Sequence, residues 1–327
     1  MVAGKNINNV VVDNYWCNGS FTSGVSRQIT VKDREEAGIM LQHYVPRFYL
    51  KYFAIPETKT SMKPKVWAFS KEKDGKAPFV TGVHGIAAQR YLYSPIKSDG
   101  SRCMETETKL AGLESILSQV WEQLANDFVD LDNIYIRKAL ALFLATLVLR
   151  NPQKIDEIKK IHQTIVNWVE TMPTEELTPE LLVEFNRYKS ASENNFQEFF
   201  VEHIHNDALL ITRLFLAKRW SIIFSNEPVF ITSDNPVVIV NDKHKPYGIK
   251  TEGTVIIFPI SPTKLLWLDD LYDEPKDQYY PLKCQDARSY NMLIWMNAPR
   301  YMFSHRDCDV VLAEIMSYVD AYENEYR

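Results

Sequence analysis

Hydrophobic and polar positions change period twice along this chain. Between Lys65 and Ser70 they alternate, which predicts a strand closed by the Asp74-Gly75 turn, with a second short strand around Arg90 to Tyr93. A helical spacing then takes over. Residues 104–128 carry Leu110, Leu113, Leu117, Val120, Trp121, Leu124 and Phe128 on one face, and 154–170 form another amphipathic helix. Residues 134–149 are apolar on almost every side, so they predict a central buried helix, stopped by Asn151-Pro152. Residues 171–180 read as a connection, and 193–216 as a long helix. From Arg219 the runs shorten to 220–224, 229–231, 237–240, 255–258 and 264–268, broken by Asn-Glu-Pro, Asp-Asn-Pro and Ile-Ser-Pro, and these read as strands. A helix over 285–296, a strand over 301–303 and a helix from Val310 close the chain. Strands, then helices, then strands predict an α+β fold: a central helical bundle packed against a mostly antiparallel sheet formed largely by the C-terminal third. Residues 1–38 lack sustained periodicity and read as an N-terminal extension to a single domain over 39–327.

Composition narrows the class without naming a function. The 327 residues are 46% hydrophobic and 24% charged, which fits a folded chain with a sizeable core. A net charge of −5 argues against broad capture of duplex nucleic acid, though not against a local basic cleft. Cys17, Cys103, Cys284 and Cys308 lie far apart, without the short spacing of a metal knuckle, and suit free thiols in a reducing compartment. The most apolar segment, residues 139–149, falls short of the ~20 residues a membrane span needs. No signal-peptide core is visible, so the expectation is a cytoplasmic protein with no membrane partner.

The densest chemistry lies in residues 42–54, where His43, Tyr44, Tyr49 and further rings surround Pro46, with Arg47 and Lys51 between them. Pro46 keeps Val45 extended and suits the first turn of a helix, which leaves His43 just outside a helix N-terminus. There the imidazole is a candidate base, metal ligand or phosphate contact, or a half-buried histidine bonding a carbonyl. On the 193–216 helix, Phe196, Phe199, Phe200, Leu210, Ile211 and Leu214 mark an apolar stripe. His203 and Asp207 fall within it at i and i+4, either a site or a satisfied core pair, while His205 points to solvent. Glu107 and Glu114, seven apart, share one edge of their helix, as a divalent-cation pair (Mg or Mn) would, or as an ordinary solvated border. Arg150 ends the apolar helix as an anion clamp or a charge complement to the helix end. Asp234 and Asn235 sit before Pro236 at a strand end, as a functional acid or a capped turn.

Nucleotide-binding glycine loops, the two-histidine zinc motif and the G-x-S-x-G elbow are missing from the sequence. Gln42-His43-Tyr44-Val45-Pro46, Phe48-Tyr49-Leu50 and Phe53, followed by Arg150-Asn151-Pro152, Thr232-Ser233-Asp234-Asn235-Pro236-Val237 and Phe258-Pro259-Ile260-Ser261-Pro262, form a recognisable series. It resembles the signature of a large, mostly microbial family of unknown function defined by an HYVPxFYLxxF motif and a later TSDNPV motif, over about residues 40–306. The resemblance implies that His43, Arg150, Asp234 and Asn235 converge. Such a cluster suits a hydrolase of a phosphate-bearing substrate, conceivably a nuclease-type toxin or defence effector. In that reading His43, Asp234, Arg150, His203 and Asp207 are catalytic, Arg47, Asn235, Tyr44 and Tyr49 bind substrate, and Glu107 and Glu114 hold metal. Nucleic acid or a nucleotide would be the partner. The alternative is a non-catalytic module for a small anion or a partner protein, a second copy of the chain included.

Overall fold

A computed structural model describes residues 40–72, 77–173, 178–241 and 244–325. The expected N-terminal extension and the Asp74-Gly75 turn lie outside those residues. The fold is α+β, as the pattern predicted, with helices at the centre and antiparallel pairing dominant in the sheets. Strand β1 (Leu41–His43) pairs antiparallel with β4 (Ala88–Arg90). Pro46, at φ −61° and ψ 141°, sets the entry to the short helix α1 (Arg47–Leu50), which continues as a 3-10 turn over Lys51–Phe53. Strands β2 (Lys65–Ser70) and β3 (Phe79–Gly82) form a hairpin.

Five helices follow: α2 (Glu105–Asn126), α3 (Ile134–Leu149), α4 (Gln153–Glu170), α5 (Pro179–Lys189) and α6 (Glu193–Ala217). The helix α5 falls where the sequence pattern gave only the end of a connection. Asn133 caps α3 by accepting from the Tyr135 and Ile136 N–H groups. From Ala139 to Leu147 every residue of α3 is buried, which is why the helix carries no polar face. It packs along α6 on one side and α2 on another.

Strands β5 (Arg219–Phe224), β6 (Thr232–Ser233), β7 (Val238–Val240), β8 (Val255–Ser261), β9 (Lys264–Asp269) and β10 (Gln278–Pro281) come next. Helix α7 (Arg288–Asn297), β11 (Tyr301–Ser304) and α8 (Cys308–Glu325) complete the chain. One sheet runs β10-β5-β9-β8-β7 and is antiparallel except for the parallel β10–β5 edge. The other, β3-β2-β11-β6, joins the early hairpin to strands more than a hundred residues later. Val229 to Ile231, expected as a strand, instead lie beside the Pro262 carbonyl, which accepts from the N–H groups of Val229 and Phe230.

An aromatic knot ties the 42–54 stretch to this frame. Phe48 packs on Trp121 at 5.3 Å between ring centroids, and Tyr49 stacks on Phe258 at 5.2 Å. Trp121 meets Phe143 edge-on at 5.3 Å, and its Nε1 donates to the Ile260 carbonyl at 3.2 Å. One buried ring cluster thus joins α1, α2, α3 and β8. Every ring in it that buries a polar atom has matched that atom with a partner.

Candidate functional site

The turns and helix starts assembled by this frame enclose a cavity of about 740 Å³. Tyr44 reaches it from the turn after β1 and Gln89 from β4. The first turns of α4 (Pro152 to Asp156) and of α6 (Glu193, Asn194 and Gln197) form two more walls. Asp234 and Arg300 close it from the β6 turn and the approach to β11. Three of the motif blocks of the sequence, at 43–46, 150–152 and 232–236, each supply a residue to one hollow.

Asp234 is the most constrained group on that wall. Its backbone N–H donates to the Tyr301 carbonyl at 3.0 Å, and Asn151 Nδ2 donates to the Asp234 carbonyl at 3.0 Å. The Arg300 backbone N–H donates to its carboxylate, 3.1 Å from the nearer oxygen. The side chain is 2% exposed, and that burial pushes its pKa up to about 7, against the pull of the backbone N–H groups of Tyr301 and Arg300. A carboxyl group in this setting exchanges its proton near neutrality. Tyr44 faces the same cavity, and its hydroxyl makes no hydrogen bond among the described residues. Burial and the nearby Asp234 raise its pKa.

Arg150 lies one residue from the wall and is itself wholly buried. Its Nη1 donates to Glu114 Oε1 at 2.8 Å, and the Tyr93 hydroxyl donates to its carbonyl at 3.1 Å. Burial raises the Glu114 pKa, and Arg150 opposes the rise. His43 is not on the cavity wall. Its Nε2 donates to the His84 carbonyl at 3.0 Å, which fixes the tautomer. Burial lowers its pKa to about 4, and the charges of Arg47 and Arg150 push the same way. A base that weak is poorly matched to neutral chemistry. Asn235 is held as a turn residue, exchanging hydrogen bonds with Asn297: its Nδ2 reaches the Asn297 carbonyl at 3.4 Å, and Asn297 Nδ2 reaches the Asn235 carbonyl at 2.8 Å.

Several residues expected at the site lie elsewhere in the structure. Tyr49, expected to touch substrate, is fully buried. Its hydroxyl donates to the Pro259 carbonyl at 2.8 Å and accepts from Thr232 Oγ1 at 2.6 Å, so it staples α1 to the sheets. His203 and Asp207 do pair, but on a half-exposed edge of α6 away from the cavity. The buried stripe of α6 is Phe196, Phe200, Ile204, Ala208, Thr212 and Phe215, while Phe199 and Leu210 are exposed. That rotation also turns His205 inward, where its Nε2 meets Thr106 Oγ1 at 2.8 Å. Glu114 is committed to Arg150, Glu107 lies half-buried near Tyr93, and no group of three His, Cys, Asp or Glu among the described residues is placed to hold a metal ion. Arg47 is exposed at the start of α1 and does not line the cavity.

Several cavity residues had escaped the sequence reading. Arg300, Arg102, Lys159 and Gln197 carry no motif signal of their own. Asn151 stood in the Arg150-Asn151-Pro152 block as a helix stop without a site role, and Arg300 as a residue between a proline and a strand.

With a buried carboxyl group on the wall of its cavity, the chain falls in the broad α+β class of folds. Within it, a family model described as a protein of unknown function (DUF4238) matches residues 41–307, and the chain belongs to that family. No curated protein and no solved structure matches the chain. Among the described residues no helix is long and apolar enough to cross a membrane.

Proposed function

We propose that this protein is a hydrolase of a small phosphate-bearing molecule, with Asp234 as its acid–base residue and the adjoining cavity as its substrate pocket. The observation that carries this reading is Asp234 itself: a buried carboxyl group on a cavity wall, with a pKa near 7. General acid–base groups work best when poised near the operating pH. Ionised, Asp234 takes a proton from an attacking water; protonated, it returns one to the leaving oxygen. Tyr44 offers its hydroxyl to the substrate from the same wall.

Anionic substrate is favoured by two helix starts. The first turns of α4 and α6 bring the positive ends of their dipoles to the cavity, beside Arg102 and Arg300. Size favours a nucleotide over a polymer, since about 740 Å³ lies within the range of small-molecule pockets, ~300–1,000 Å³. This narrows the expected nuclease to an enzyme for mononucleotides or comparable phosphoesters.

The test is a panel of nucleotides and phosphomonoesters assayed with the wild type and Asp234→Asn. A loss of about a hundredfold or more in turnover, with binding retained, supports the assignment. Equal turnover by the two proteins removes Asp234 from the mechanism. The non-catalytic alternative has one observation in its favour: cavity cations already hold partners, Lys159 with Glu193 at 2.6 Å and Arg300 with Glu72 at 2.5 Å. Binding without turnover by the wild type would select that reading.

A further inference from the structure

Arg150 carries more donors than its partners use. It is fully buried, and among the described residues its one side-chain hydrogen bond runs from Nη1 to Glu114. Among the described residues Nε and Nη2, both buried, meet no hydrogen-bond acceptor. A guanidinium stays charged and its buried N–H groups are costly to leave unmatched. Two such donors on one side chain point to a ligand in a way that a single stray atom would not.

The two atoms in question form one edge of the guanidinium plane. Elsewhere in this protein that edge does a recognisable job. Arg219 turns it to Asp269, with Nε to Oδ1 at 2.8 Å and Nη2 to Oδ2 at 2.5 Å. Arg288 turns it to Asp286 at 2.9 and 2.8 Å. In both cases two parallel donors match two oxygens of one anion. Arg150 presents the same fork, pre-set by the Glu114 bond on Nη1 and by the backbone anchor to Tyr93.

The backbone of Arg150 is tied to residues near the cavity wall. The next residue, Asn151, lines the cavity and ties the Asp234 backbone to the end of α3. Tyr93, bonded to the Arg150 carbonyl, is electrostatically coupled to Tyr44, which lines the cavity from the other side.

We propose that the Nε–Nη2 edge of Arg150 is an inner oxyanion subsite, which takes two oxygens of the substrate's phosphoryl group. This deepens the phosphate-pocket reading and rests on it for the identity of the ligand. It also assigns the two charges of the Arg150–Glu114 pair different duties: Glu114 orients, Arg150 binds.

Inorganic phosphate is the probe, titrated by calorimetry into the wild type and Arg150→Lys. The lysine keeps a cation for Glu114 but has no second donor edge. The expected result is phosphate binding by the wild type and a loss of about tenfold or more in Arg150→Lys, with an unchanged melting transition. Equal affinity in the two proteins, or no phosphate binding by the wild type at millimolar concentration, overturns the subsite. Should Arg150→Lys fail to fold, wild-type crystals soaked in phosphate decide: a phosphate on Nε and Nη2 supports the proposal, and a water molecule alone there overturns it. Turnover is not part of this readout. A failed subsite with an inactive Asp234→Asn leaves the hydrolase standing, and a confirmed subsite with no turnover leaves a phosphate-binding module.

Discussion

Breaking the Arg150–Glu114 pair from its two ends has unequal consequences, and the inequality follows from burial. Arg150 is fully buried, whereas the Glu114 side chain keeps 26% of its exposure. In Glu114→Met the guanidinium loses the one charge partner it has among the described residues and cannot shed its proton, so destabilisation of about 3–5 kcal/mol is expected. In Arg150→Met the carboxyl group left behind has an escape. It takes up a proton, and doing so at pH 7 against an ordinary value of 4.5 costs at most about 3 kcal/mol. Burial raises the folded-state pKa of this carboxyl above its unfolded value, so the cost grows as pH rises and shrinks as pH falls towards 5. The cost of Glu114→Met should instead shrink as pH rises, because the wild type loses stability as its own upshifted carboxyl ionises and the variant does not. Replacing both with methionine removes both charges and should be milder than Glu114→Met alone. Urea unfolding of the four proteins at pH 5 and pH 7 measures all three comparisons. Glu114→Met within about 1 kcal/mol of wild type, or Arg150→Met costlier than Glu114→Met at pH 5, would refute the reasoning.

Other consequences are simpler to state. Because the folded-state pKa of Asp234 is raised to about 7 from an ordinary 3.8, ionising it opposes folding. Wild-type stability should therefore fall relative to Asp234→Asn as pH rises from about 4 to 7, by at most about 4 kcal/mol, read from urea midpoints across that range. Tyr49→Phe leaves Thr232 Oγ1 and the Pro259 carbonyl without their shared partner, so calorimetry should show a loss of about 1–3 kcal/mol. Asn291→Ala removes an acceptor from the Ile231 N–H and a donor to the Val229 carbonyl, and should cost a similar amount by the same measurement.

Much of the fold was legible because its strongest patterns were physical necessities. A segment as uniformly apolar as Ala139 to Leu147 has nowhere to go but the centre, and Asn151-Pro152 has to end it. The runs around Trp220, Ile256 and Leu266 likewise became neighbouring strands of one sheet. Pairing order was not legible, since nothing local in Gln278–Pro281 announces a parallel edge strand beside β5. On α6 the reading failed because Phe199 and Leu210 look like core residues. The ladder from Phe196 through Phe200, Ile204 and Ala208 sets the buried face, and those two are left outside it. Tyr49 shows the opposite limit. A phenol in a motif suggests a ligand contact, but its hydroxyl partners come from residues 183 and 210 positions away. Asp234 was visible as a strand-end acid, while Arg300, whose backbone N–H holds it, had no signal at all.

The hydrolase reading depends on the protonation of one buried carboxyl group. A carbon-13 NMR titration of the Asp234 carboxyl carbon reads it directly, assigned by its loss in Asp234→Asn. The account expects a midpoint near pH 7. A midpoint at or below about 4.5, the ordinary carboxylate range, would contradict it.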